Sequence, residues 1–209
     1  MTINSDESNI ISIPGLIRNK IYKKLFFAKE GLTIEKTLSF DPSIFIAADD
    51  ICSFRFGVNW IRGYKFVFGR QYIIQIQDQD NKIVSIKLNS YYQIRRKAYL
   101  QIWSDIFNQL WNNYFVNTFN YYFELYSVKQ VFDLTGVKFH PFGISWDNQS
   151  LFWNEIALSN YKTYFMIHHR DDLKKIRRIS FKNDWNAFIL QCLLKKIIEE
   201  HDSYRTDPA

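Results

Sequence analysis

Along the first part of the chain, apolar positions alternate with polar ones in short runs, the period of strands with one face in a core. Ile44 to Ala47, Ile51 to Phe56, Tyr64 to Phe68, Tyr72 to Gln77 and Lys82 to Leu88 are rich in Ile, Val, Phe and Tyr, and Gly63, Gly69 and Asp78 to Asn81 punctuate them. Glutamines mark the outward face of Gln71 to Gln77, while Ile83, Ser85 and Lys87 alternate with Val84, Ile86 and Leu88. This predicts half-exposed antiparallel strands. From Tyr99 the period changes: Trp103, Phe107, Leu110, Trp111 and Tyr114 stand three or four apart, as on one face of a helix. Neither Pro nor Gly interrupts Tyr91 to Thr135, so the helix is expected to continue through Phe119, Tyr122, Phe123 and Tyr126, bent near Asn112-Asn113. Aromatic on more than one face, this stretch is expected to be buried on several sides and to pack between the two halves of the chain.

Strand patterning then resumes at Val137 to His140, Gly143 to Trp146, Leu151 to Trp153, Ile156 to Asn160, Tyr164 to His168 and Lys175 to Phe181. A last helix is expected after Asn183 or Asp184, either a good N-cap, carrying Trp185, Phe188, Ile189, Cys192, Leu193 and Ile197. The two halves align. An offset of 105 brings Gly31-Leu32-Thr33-Ile34 onto Gly136-Val137-Lys138-Phe139 and Asp50-Ile51 onto Glu155-Ile156. Further on, Tyr72 to Ile76 parallels Tyr164 to Ile167, and Ile86 to Asn89 parallels Ile179 to Lys182, at an offset of about 93. The expectation is an internal repeat in which each half presents strands first and a helix last.

Antiparallel strands that finish in one amphipathic helix solve a definite problem, because a small curved sheet leaves an apolar mouth that a helix can cover. In Ile44 to Phe54 and Leu151 to Ser159, and in the terminal helices at Ala98 to Trp111 and Asp184 to Ile198, the chain resembles the pleckstrin-homology-like (PH-like) superfold in its short bacterial tandem form. The resemblance covers most of residues 20 to 200. It departs from the superfold in a second unit that looks short of seven strands and in a helical or irregular lead-in at Ile13 to Phe27. It implies an α+β fold of two PH-like units, each a small antiparallel curved sheet or partial barrel capped by a C-terminal helix. The expected divisions are 10–115, a helical connector at 116–135, and a shorter unit at 136–202. The superfold hosts lipid, phosphopeptide and protein binding alike. Lipid-binding members hold the headgroup with basic residues in the loop joining the first two strands. Placed here at Phe40 to Ser43 and Trp146 to Ser150, those loops carry no Lys or Arg, which argues against headgroup recognition there.

Composition sharpens this reading. Aromatic residues make up 18% of the 209, while Gly and Pro number only 7 and 4, so large side chains can fill dense cores. No apolar run is long enough to span a bilayer, and the start is polar, so a soluble cytoplasmic protein is expected. The net charge of +6 is uneven: residues 1–115 hold 15 basic and 10 acidic side chains, the remainder 12 and 11. Basic clusters lie at Arg18 to Lys24, at Arg55, Arg62, Lys65 and Arg70, and at Arg95-Arg96-Lys97, with Lys174-Lys175 and Arg177-Arg178 flanking a later strand. They suit either a phosphate-bearing partner or strand edges kept from aggregating. No recognisable nucleic-acid module is present, so nucleic acid is an unlikely partner.

Candidate chemistry is sparse. His168-His169-Arg170-Asp171-Asp172 combines imidazoles with carboxylates, but neighbours on a strand point to opposite faces, and paired aspartates favour a turn. His140 and His201 share no ligand spacing with them. Asp49-Asp50 meets Asn154-Glu155 across the repeat, as a structural turn would, and Cys52 and Cys192 are expected to be buried, reduced strand or helix thiols. No catalytic residue, metal ligand, cofactor or small-molecule substrate is therefore expected, and the protein is read as non-enzymatic. Trp60, in Gly57 to Gly63, expected as a hairpin tip that the second unit lacks, fits two readings equally, packing on the neighbouring unit or binding a partner. The expected function is an interaction or scaffolding module with a protein partner, through Trp60, Ile61, Arg62, Lys65, Arg95, Arg96 and Lys97. The alternative is peripheral binding of an anionic membrane surface or other phosphate groups by the basic first unit.

Overall fold

The computed structural model describes residues 10–16, 20–37, 42–172 and 174–206. The fold is α+β, its sheets antiparallel throughout, and the chain divides into two compact units after Val116.

Unit 1 opens with four strands in sequence order: β1 (Ile10–Pro14), β2 (Ile21–Ala28), β3 (Gly31–Lys36) and β4 (Ile44–Ala47). A 3-10 turn, Ala48–Asp50, leads to a second sheet of three strands: β5 (Ile51–Arg62), β6 (Val67–Asp78) and β7 (Ile83–Tyr91). Helix α1 (Arg96–Leu110) comes next, then a π-helical turn at Trp111–Phe115 and α2 (Val116–Ser127), which falls in unit 2 apart from its first residue. Unit 2 repeats the order. Its first sheet is β8 (Phe132–Leu134), β9 (Val137–His140), β10 (Gly143–Trp146) and β11 (Gln149–Phe152). After a 3-10 turn at Trp153–Glu155 come β12 (Ile156–Asn160), β13 (Tyr164–His169), β14 (Ile176–Ser180) and helix α3 (Ala187–Thr206).

In unit 1 the alternation of β7 buries Val84, Ile86 and Leu88 against Tyr72, Ile74 and Ile76 of β6. The outward side chains of the same sheet form polar ladders, Asn59–Gln71–Asn89 and Arg55–Gln75–Ser85. Aromatic side chains of α1 close the core: Phe107 packs on Phe54 and Phe56, Trp103 packs on Phe56 and Tyr72, and Phe115 of the π turn stacks on Phe54 at 4.0 Å. Their polar ends reach strand carbonyls, Trp103 donating to Ile73, Tyr99 to Pro14 and Tyr114 to Ala28. In unit 2, Ile189, Leu190, Leu193, Leu194 and Ile197 make one fully buried stripe of α3.

Several expectations are corrected. Ile13 to Phe27 is not a helical or irregular lead-in but, where described, part of the β1–β2 hairpin; Lys23 and Lys24 mask the alternation of Leu25 and Phe27. Tyr64 to Phe66 lie in a turn, and β6 runs straight through Gly69, because a Cβ there would meet the Ser90 carbonyl at 2.8 Å. Unit 2 has a full seven strands, since β8 joins β9 through Thr135-Gly136, both left-handed as a tight hairpin turn requires. Helix α3 starts at Ala187 rather than after Asp184, whose carboxylate instead accepts from the Ser180 N–H. Of the stretch expected to be buried on several sides, Tyr99, Ile106, Leu110, Tyr114 and Phe115 are buried, but no residue of α2 is fully buried and Tyr121 is exposed. The π turn does fall on Asn112-Asn113, where the Asn113 amide donates back to the Gln109 carbonyl.

Register also revises the alignment of halves. Asp50-Ile51 and Glu155-Ile156 hold equivalent places, each closing the 3-10 turn before the second sheet. The counterpart of Gly31 is Gly143, not Gly136: each opens the third strand, opposite Ala47 and Phe152 respectively, and a Cβ would meet the facing carbonyl of Ile46 at 2.2 Å or of Leu151 at 2.0 Å. Likewise Ile74 and Ile76 answer to Phe165 and Ile167, so Tyr164 stands where Ile73 does, one residue from the expected match. A one-residue slip exchanges the faces of a strand, and burial identifies the true register.

Close backbone approach and phenol burial can both be tested. Gly31→Ala and Gly143→Ala each lose at least about 2 kcal/mol in urea unfolding, because backbone must move to admit the methyl group, whereas Gly63→Ala, with only side-chain atoms at 3.5 Å, stays within about 0.5 kcal/mol. Burial pushes the Tyr114 phenol up from 10.0 to about 12. An unfolded chain ionises this phenol first, so its contribution to stability is complete below pH 10 and lost as pH rises toward 12. Tyr114→Phe therefore shows a smaller fall in urea midpoint between pH 9 and pH 11 than the wild type.

Candidate functional site

The strands of the β5–β6 hairpin each have 12 residues, and their paired ends carry the feature from which a site can be built. Past the last pair, Arg62 with Val67, the chain turns through Gly63 to Phe66, closed by the Gly63 N–H donating to the Phe66 carbonyl. Trp60 lies opposite Arg70, whose guanidinium sits 4.3 Å from the indole centroid. Gly69 pairs with Tyr91, the last residue of β7, and the Tyr92 N–H then donates to the Phe68 carbonyl, bringing the β7–α1 loop alongside the hairpin. Trp60, Phe66, Phe68, Arg70, Tyr92 and Arg96 line an open cavity of about 430 Å³.

The loop is held in an unusual form. Tyr92, Gln93 and Arg95 all have positive φ, a conformation that side chains other than Gly seldom adopt. Ser90, itself buried, ties it down by donating to the Ile94 carbonyl at 2.7 Å, and Arg95 Nε donates to the Leu16 carbonyl. Clustered backbone strain of this kind collects where a surface must be presented in a fixed shape.

Of the seven residues expected to bind, the structure brings Trp60 and Arg96 together in the cavity and sets Ile61, Arg62 and Lys65 on the adjoining hairpin end. Lys97 comes after Arg96 in the exposed first turn of α1, and Arg95 serves the loop itself. The sequence pattern does not reveal Phe66, Phe68, Tyr92 or Gln93 and shows Arg70 only as charge. The strand register around Gly63 places Arg70 opposite Trp60, whereas the place of Tyr92 depends on left-handed backbone that periodicity does not encode. Trp60 is not at the hairpin tip but on β5, three pairs back.

The other candidates are absorbed by the fold. His168 bonds Ser159 across β12–β13, while His169 Nδ1 accepts from the N–H groups of Asp171 and Asp172 and its Nε2 lies 3.6 Å from Glu155. Asp172 accepts from Lys174 N–H, so the string is a strand end and its turn. His140 bonds Ser145, and His201 bonds Tyr126 and stacks on Trp153. No group of three or more metal-ligating side chains occurs among the described residues. Glu155 caps its own 3-10 turn through the Phe152 N–H, and Asp49-Asp50 occupy the matching turn.

Two further corrections concern charge and thiols. The loops expected to join the first two strands actually join the third and fourth; Phe40 and Asp41 lie outside the described residues. In unit 1 the first-strand connection is Gly15 to Lys20, which includes Arg18, also outside the described residues, so a lack of basic residues no longer counts against headgroup binding there. On the neighbouring strand, burial lowers the pKa of Lys23, and Lys36 opposite it and Lys87 add to the effect. Cys52 is exposed, not buried, its Sγ donating to the carbonyls of Gln77 and Asp78. Cys192 is half-buried, its thiol pushed up to about 11 by burial.

Comparison with protein-family models and with curated proteins finds no match to this chain. No helix among the described residues is long and apolar enough to cross a membrane.

The thiols give a direct check. At pH 8 an aromatic disulfide reagent titrates one thiol of the native protein rapidly, the second reacts only on unfolding, and Cys52→Ser abolishes the rapid phase.

Proposed function

We propose that this protein is a non-enzymatic interaction module of two PH-like units in tandem, and that it engages its partner through the hairpin end of unit 1. The tandem reading is supported by the shared order of seven strands and a helix, by the matched 3-10 turns and by the equivalent places of Gly31 and Gly143. The cavity walled by Trp60, Phe66, Phe68 and Tyr92 carries the functional reading. Large aromatic side chains left in contact with solvent beside arginines have the composition of a binding hot spot, and the core does not need them. A protein partner and an anionic surface both suit such an end. One observation favours the surface: no Asp or Glu occurs from Ile51 to Gln77 or from Asn81 to Ser104.

Trp60→Ala and Arg96→Glu test the module. Each lowers by fivefold or more the amount of associated material that co-purifies with the full chain from its native cell, at an unchanged urea midpoint; unchanged recovery in both would overturn the reading. His168→Ala combined with Asp172→Ala leaves recovery unaltered. Stoichiometric metal lost in that double variant would instead indicate a metal enzyme.

A further inference from the structure

We infer that the hairpin end of unit 1 docks on an anionic lipid bilayer, with the aromatic tip entering the interface and the surrounding cations meeting the headgroups. The inference rests on the module reading and names its partner.

The tip is apolar where it is most exposed. Tyr64 is 97% accessible, Tyr92 71%, Phe66 61% and Val67 50%, all within one turn and the loop beside it. Aromatic rings of this kind favour the zone between headgroups and acyl chains. The polar cost of entering that zone is reduced by the ladder, paired as far as Arg62 and Val67, and by the Gly63 N–H donating to the Phe66 carbonyl across the turn.

Cations lie both at this tip and behind it. Lys65 stands at the turn with its ammonium 5.6 Å from the Tyr64 ring, and Arg62 is at the end of β5. Arg70 lies roughly 10 Å behind the turn at the rise of a strand, with Arg96 and Lys97 beyond the end of β7. That separation matches the depth to which interfacial segments sink their apolar faces, roughly 5–10 Å. Among the described residues none of these five cations has a carboxylate partner, and Asp78, the nearest acid along β6, sits at the opposite end of the hairpin, paired with Ile51. An acidic protein surface would also complement the charge. The outermost position of Tyr64 decides between them, since a fully solvated aromatic at a protruding turn is suited to immersion rather than to a matching pocket.

The test is co-sedimentation of the full chain with vesicles of phosphatidylcholine alone and of phosphatidylcholine with about 30% phosphatidylserine. Binding is expected only to the anionic vesicles and is lost at 0.5 M salt, where the Debye length shrinks to a few ångströms. Each basic residue near such a surface contributes about fivefold, so Arg70→Gln with Arg96→Gln weakens binding by about 25-fold. Tyr64→Ser, which can disturb no core, weakens it by at least fivefold. Equal sedimentation with neutral vesicles, no sedimentation with anionic ones, or full binding by both variants would overturn the inference. If vesicles fail while Trp60→Ala still loses a co-purifying protein, the module reading stands with a protein partner; if both fail, neither stands.

Discussion

In either unit, sheets of three and four strands present an apolar face too small to bury itself, and the C-terminal helix must complete the core. In unit 1 that constraint selects the aromatics of α1. Phe107 and Phe115 reach Phe54, Trp103 reaches Tyr72, and each residue with a polar end lands it on a strand carbonyl. Tyr99 and Tyr114 bond β1 and β2, whereas Trp103 bonds β6, so one helix with its π turn fastens both sheets. The π turn is part of this fastening, because it carries both Tyr114 and Phe115 and places them in the core. In unit 2, α3 meets the same requirement with aliphatic side chains and with Gln191, which is buried and bonded to Asn160.

The same constraint determines which elements are legible in the sequence. Strands β4, β9, β10 and β12 have the bounds expected from short apolar runs closed by turn residues, and in β9 burial alternates with the period of two that one-sided packing imposes. The hairpin β1–β2 is illegible for the opposite reason: Lys23 and Lys24 interrupt the apolar face, and Lys23 faces Lys36 across β3, a like-charge pair that no propensity favours. Glycine misleads twice. Gly69 reads as a break because backbone freedom is the usual reason for Gly, yet here the side chain is excluded by the Ser90 carbonyl within a continuous strand. Gly136, matched to Gly31 by its neighbours in sequence, has φ of +69° in a turn, whereas Gly143 shares with Gly31 the close approach of an adjacent strand. Sequence likeness cannot separate these roles; steric surroundings do.

Half of the candidate site is legible. Trp60 and the basic residues are conspicuous by composition, because a large aromatic among glycines and arginines has no obvious place in a core. Phe66, Phe68 and Tyr92 are not, since their assembly depends on the turn closing at Gly63 and on a loop with three left-handed residues, neither encoded by periodicity.

Comparison of the two units shows how much of unit 1 the core requires. In unit 2, β12 and β13 have five and six residues, and these suffice to bury Ile156, Phe165 and Ile167 completely. Their counterparts β5 and β6 have 12 residues each, but complete burial on β6 ends at Tyr72, and past Phe54 no side chain of β5 is buried. The strands beyond that level carry Trp60, Arg62, Arg70 and the turn between them, for which the core has no use. Backbone order there costs on the order of 1 kcal/mol per residue, and it is offset only by ladder bonds and a few stacked rings. The hairpin end is thus a sheet extended past its own core, free of acids and ending in exposed aromatics, and its order is not explained by burial within unit 1.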